Sequence, residues 1–358
     1  MLLVPENWMK RTGRVARFAG ALSVVALATS LTACDYLPFG AAGPEVVEEA
    51  NNALKSGDLP GAGAQYAQLS TEHADSIHVA IGQAYILLMQ GDSDGADATL
   101  AAVEESAGEQ LPEIKLRRAI VAMRAKDLDA VKLHGTASGL PEGKLLAAEV
   151  HLVDLEGDEA AQIFRDISSA GGAVGETATT YLAMLDSGDQ IQAGLAEATA
   201  LWAIGERESA CENAEELVKA LPEDDTSKST QILVWAGRAV TSNKPGVAAS
   251  LLDDLDFPPE GQAWRVQATR AIIAVAEGDA DEGIRIFAAL SEGGAPADGL
   301  ADARATACAL ATDKAKARLL VDGLESAAVA RCLMQAGADR VAQNQAPDGA
   351  LKTFLENK

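Results

Sequence analysis

Residues Leu195–Pro222 read LAEATALWAIGERESACENAEELVKALP, and this stretch decides the fold class. Apolar and Ala residues recur at helical spacing on both sides of Gly205-Glu206, a pair suited to a tight turn. Ala210 stands four residues after Glu206, and Pro222 stops the second run. A small side chain at the place of Ala210 lets two antiparallel helices approach closely.

The same punctuation recurs along the chain from Pro44 onward. Turn pairs stand at Gly57-Asp58, Gly91-Asp92, Lys126-Asp127, Gly157-Asp158, Gly188-Asp189, Gly205-Glu206, Asn243-Lys244, Gly278-Asp279, Thr312-Asp313 and Pro347-Asp348. Counted on the second residue of each pair, the intervals are 34, 35, 31, 31, 17, 38, 35, 34 and 35. Four residues after the marker come Ala62, Ala96, Ala193, Ala210, Ala248 and Ala317, with Gly283 in the equivalent place. Eight residues after it come Tyr66, Leu100, Leu252, Phe287 and Val321. The small residue lets the pair close, and the bulky one a turn later fills the gap. No strand pattern interrupts this repeat, whose period is near 34 residues.

Period, turn and small-residue position resemble the tetratricopeptide repeat (TPR) family over roughly residues 45–358, and Leu195–Pro222 comes closest to its pattern. The resemblance implies an all-α, TPR-like superhelix, an α-solenoid whose concave surface holds a peptide or partner protein. The family's Trp early in the first helix is mostly missing, and Ala84 and Ala198 occupy the place of its mid-helix Gly. The 17-residue interval from Asp189 to Glu206 is half a repeat, so an odd helix or a phase break is expected near residue 188. It divides the repeats into blocks 45–187 and 188–358. About eighteen to twenty helices are expected from Glu45 onward, with no sheet.

Residues 1–33 differ from the rest and read as a signal peptide. Lys10, Arg11, Arg14 and Arg17 form a basic region, and Phe18–Ala33 carries no charge. That run is short for a membrane span and fits a secretory apolar segment. Leu31-Thr32-Ala33-Cys34 follows, resembling the bacterial lipobox, which implies cleavage before Cys34 and diacylglyceryl attachment to its sulfur. Residues 34–44 then form the lipidated end and a Pro- and Gly-containing tether. The leader holds four bases and one acid, so the mature charge becomes −27 against −24 for the whole chain. Asp35 resembles an inner-membrane retention signal, a rule that varies among bacteria, so inner and outer membrane both stay open.

Composition excludes several functions. An excess of 53 Asp+Glu over 29 Lys+Arg repels phosphate backbones, so no nucleic-acid partner is expected. Aromatics are only 4%, so the core must be filled by aliphatic residues and Ala. Gly91-Asp92-Ser93-Asp94-Gly95 has the spacing of a nucleophile elbow but joins two predicted helices, whereas that chemistry needs a strand-to-helix turn. Asp92 and Asp279 open acidic turns, yet Val103 and Leu290 stand where a calcium loop needs a bidentate Glu. His73, His78, His134 and His151 have no metal-ligand spacing, so no metal or cofactor is expected. Cys308 and Cys332 form a candidate disulfide across adjacent units, with small buried hydrophobes as the competing reading alongside Cys211. Trp202, Trp235 and Trp264 fall on predicted helices, as core or as partner anchors.

The expectation is a non-enzymatic, lipid-anchored scaffold of the bacterial cell envelope, facing the periplasm and binding an envelope protein or peptide. A cell-wall-acting enzyme with an α-superhelix and a purely structural spacer are the alternatives. A deep pocket with paired buried carboxylates would favour the enzyme. Replacing Cys34 with Ala is expected to leave an uncleaved precursor without acyl chains. Mass spectrometry of the membrane fraction checks this, and a mature N-terminus other than lipid-modified Cys34 overturns it.

Overall fold

The computed structural model describes residues 45–324, apart from 56–58, 74–75, 224, 226 and 256. The leader, Leu31–Cys34, the tether, Gly57-Asp58, Cys332 and Pro347-Asp348 lie outside the described residues. Among those described there are seventeen α-helices and no strand. Eight antiparallel hairpins account for sixteen of them. The first four are α1 (Glu45–Lys55) with α2 (Leu59–Glu72), α3 (Ile77–Met89) with α4 (Ser93–Ala102), α5 (Leu111–Ala125) with α6 (Leu128–Ser138), and α7 (Pro141–Val153) with α8 (Gly157–Ile167). After the odd helix α9 (Gly172–Leu185) come α10 (Gln190–Ala203) with α11 (Arg207–Ala220) and α12 (Lys228–Thr241) with α13 (Pro245–Asp253). The last two are α14 (Ala263–Ala276) with α15 (Ala280–Glu292) and α16 (Ala297–Leu310) with α17 (Lys314–Val321). Each hairpin packs on its neighbours along the chain, so the fold is an all-α α-solenoid.

One turn geometry joins most hairpins. The N–H groups of Asp92, Asp127, Glu156, Glu206, Lys244 and Asp279 each donate to the carbonyl five residues back, at 2.8–2.9 Å. The residue before each has positive φ: Gly91, Lys126, Leu155, Gly205, Asn243 and Gly278. This is a Schellman ending, which satisfies carbonyls that the first helix leaves free. The same residue then caps the second helix. Asp92, Asp127 and Asp279 accept from the N–H three residues on, at 2.9, 3.0 and 3.1 Å. One residue thus closes one helix and opens the next, which reverses the chain within three residues.

The small and bulky positions fall where the repeat puts them. Ala62, Ala96, Ala210, Ala248 and Ala317 are fully buried, and Tyr66, Leu100, Leu252, Phe287 and Val321 are buried one turn later. Gly283 fits the rule most tightly. A methyl group there would meet Val275 Cγ2 at 2.4 Å and the backbone oxygen of Ala271 at 2.8 Å.

Two turns differ from the expectation. The fourth turn is Leu155-Glu156 rather than Gly157-Asp158, since α8 already begins at Gly157 with Glu156 as its N-cap. The corrected phase puts Ala160 and Phe164, both fully buried, at the small and bulky places. Gly188-Asp189 precedes a first helix, α10, not a second one, so Ala193 is not a hairpin contact and is only partly buried.

Leu155 holds φ of +62° while 78% exposed, at a place where three of the six turns use Gly. A branched L-residue in that conformation is strained by about 1–2 kcal/mol, and no burial offsets it. Leu155→Gly is expected to stabilise the protein by about 1 kcal/mol after glycine's larger unfolded-state entropy is allowed for. A urea melt measures this, and a lowered midpoint would show that Leu155 makes contacts that outweigh the strain.

Candidate functional site

The odd helix α9 breaks the alternation of the stack. α10 packs more heavily on α7 than on α9, so it takes the position next to α7 that the following first helix would otherwise occupy. Ile204, just past α10, joins Ala122, Val131 and Val150 in one buried cluster. Lys126 Nζ and Glu206, from turns 80 residues apart in sequence, pair at 2.7 Å.

This junction gathers much of the aromatic and polar material in an aromatic-poor chain. Phe164 and Tyr181 stack with ring centres 4.5 Å apart. The Tyr181 hydroxyl donates to Glu149 Oε1 at 3.1 Å, joining α9 to α7. On the other side Trp202 of α10 meets Trp235 of α12 edge to face at 6.5 Å. The Arg238 guanidinium lies 4.4 Å from the Trp235 ring centre and 5.5 Å from that of Trp202. Arg207 lies 5.2 Å from the same Trp202 ring. Such contacts hold a cation against an aromatic face at partly desolvated sites.

Burial sets the electrostatics. Glu149 is 5% exposed, and loss of hydration pushes its carboxyl up to about 8, against a smaller lowering by the Tyr181 hydrogen bond. Burial also lowers Arg238 to about 10, with Tyr181, Cys211 and Glu149 opposing the shift electrostatically. Cys211 is a buried free thiol whose pKa burial raises, which makes it a poor nucleophile. Sequence reading weighed Trp202 and Trp235 as core or anchor, and both are buried here. It missed Glu149, Tyr181, Arg207 and Arg238, because nothing in their spacing connects them.

The remaining sequence candidates fall elsewhere. Asp92 is the N-cap of α4 and Ser93 its first residue, so the apparent elbow is an ordinary hairpin turn. His151 Nδ1 lies 2.5 Å from Glu156 Oε2, and His134 is buried with Nδ1 unpartnered. Among the described residues no group of three His, Cys, Asp or Glu is placed to hold a metal. Glu149 is the buried acid of the core, and no second carboxylate acts on it among the described residues. Cys308 is fully buried on α16 and engaged in a disulfide, while its expected partner Cys332 lies outside the described residues. Among the described residues no helix is long and apolar enough to cross a membrane.

The sequence matches no protein-family model and none of the curated proteins compared with it. Among solved structures it is similar to the crystal structure of the P58(IPK) TPR domain, at 15% identity and a TM-score of 0.23, over 87% of this chain and 99% of that one. The solenoid assignment rests on the hairpins and their packing within this chain.

The Glu149 shift has a pH signature. The folded carboxyl keeps its proton to about pH 8, whereas the unfolded one releases it near 4.5. Its contribution is therefore fully present below pH 4.5 and is lost as pH rises through 8. Glu149→Gln keeps a neutral hydrogen-bonding side chain, so it is expected to stabilise the protein relative to wild type at pH 8 and to change little at pH 4.5. Urea melts of both proteins across that range check this, and parallel pH profiles would contradict it.

Proposed function

We propose that this chain is a lipid-anchored scaffold of the bacterial cell envelope, facing the periplasm and holding a protein or peptide partner along its helical array. In this reading signal cleavage follows Ala33, Cys34 carries the lipid, and Cys332 is the disulfide partner of Cys308. The observation that carries the reading is the hairpin stack itself. Stacked hairpins bury one continuous core and leave extended surfaces of the kind that repeat arrays use to bind partners. The basic run, the uncharged Phe18–Ala33 and the lipobox-like Leu31–Cys34 support the envelope address.

Charge supports the partner's chemistry. Several bases are already engaged by acids of a neighbouring hairpin. Lys244 pairs with Glu208 and Glu212, Lys316 with Asp281, and Arg118 with Asp97 and Glu104. The excess acids leave a field that favours a basic segment. The full-length chain is expected to enrich an envelope protein in a pull-down. Binding to the purified partner should weaken as salt rises toward physiological strength, where the Debye length falls to about 8 Å. Salt-independent binding would move the reading to an apolar groove, and failure to enrich any envelope protein would favour a structural spacer.

A further inference from the structure

A basic island at the α9–α12 junction stands apart from the scaffold reading and does not depend on it. The chain carries a net charge of −24, yet Arg207 and Arg238 both lie against the Trp202 ring, and the Arg124 charge reaches Arg207. Burial holds Arg207 below the usual arginine range, and the nearby Arg124 charge lowers it further.

Arg238 lies at the centre of this island. Among the described residues its guanidinium makes no ion pair. Nη1 donates one long hydrogen bond, 3.4 Å to Thr199 Oγ1, and Nε has no acceptor. Glu149 acts on it through space but stays protonated to about pH 8, so it supplies no counter-charge at neutral pH. Stacking on the two indoles offsets part of the cost of burying a cation and leaves the planar donor fork available. Arg238 as a whole residue is half-buried rather than fully enclosed.

We propose that this junction binds an oxyanion, a phosphate or carboxylate group, that accepts hydrogen bonds from the Arg238 guanidinium with Arg207 and Trp202 beside it. Both groups match the guanidinium fork in geometry and charge. At long range the acidic chain disfavours anions, so the site selects a ligand by local contact and not by steering.

The test is a titration of the full-length chain at pH 7 with sodium phosphate and, separately, sodium acetate, at ionic strength held constant with chloride. Tryptophan emission and the thermal midpoint are the readouts, because Trp202 and Trp235 lie against the bound group. The expected result is a saturable emission change and a raised midpoint. A phosphate-only response assigns a phosphate ligand, and an acetate response of equal or greater size assigns a carboxylate. Arg238→Lys, which keeps the charge but loses the fork, should weaken binding by about tenfold or more. Arg285→Gln, at an exposed arginine paired with Glu282, should leave it unchanged. If Arg238→Lys does not fold by circular dichroism, Arg207→Lys carries the same expectation. No saturable change with either anion, or equal affinity in wild type and the folded arginine variant, overturns the proposal.

Discussion

In six of the eight hairpins the N–H of the residue that opens the second helix is bonded back across the turn to a carbonyl of the first, and this is the contact on which the stack depends. It requires one residue in the left-handed conformation, which is why Gly91, Gly205, Asn243 and Gly278 recur near a fixed interval. Because the chain reverses within three residues, the fourth residue past the turn faces the first helix at short range. In the α5–α6 hairpin Val131 takes this place and Gly135 follows a turn later, but in other hairpins the residue is small, and Ala62, Ala96, Ala210, Ala248 and Gly283 occupy it. The bulky residue one turn later then closes the gap. Local hydrogen bonding thus dictates packing, and packing repeated along the chain produces the solenoid.

Where the repeat breaks, the packing changes in kind. α9 has no hairpin partner, and α10 packs against both α7 and α9. Small residues cannot fill so irregular a space, and large rings fill it instead: Phe164 on Tyr181, and Trp202 against Trp235. Once rings are present, long polar side chains can be stacked on them, and Arg207 and Arg238 are. Glu149, the one buried carboxylic acid among the described residues, belongs to the same place. Architecture and site chemistry therefore have a common origin in the odd helix.

The outer faces follow a different logic. Glu208 and Lys244 lie 36 residues apart, Asp281 and Lys316 lie 35 apart, and Ser250 bonds to Glu215 at the same 35-residue separation. These links join matching helices of adjacent hairpins. Each exposed pair contributes little in water, roughly 0–1 kcal/mol. Their larger consequence is for the field, since the bases they engage leave the acidic excess to dominate the surface.

The sequence by itself determined the hairpins. Turn residue, small residue and bulky residue all lie within about a dozen positions, and interactions that local are written in local spacing. It failed at the fourth turn because Leu155 does not look like a residue with positive φ, and the neighbouring Gly157-Asp158 does. The 17-residue interval announced an irregularity near residue 188, but the register that makes Ala193 part of a first helix emerged only with α9 and α10 in place. The Glu149–Tyr181 hydrogen bond spans 32 residues, and Arg238 reaches Thr199 across 39. No periodicity connects such positions. Their meeting depends on how α10 seats against α7, which is settled by the shape of the packed helices and not by any pattern along the chain.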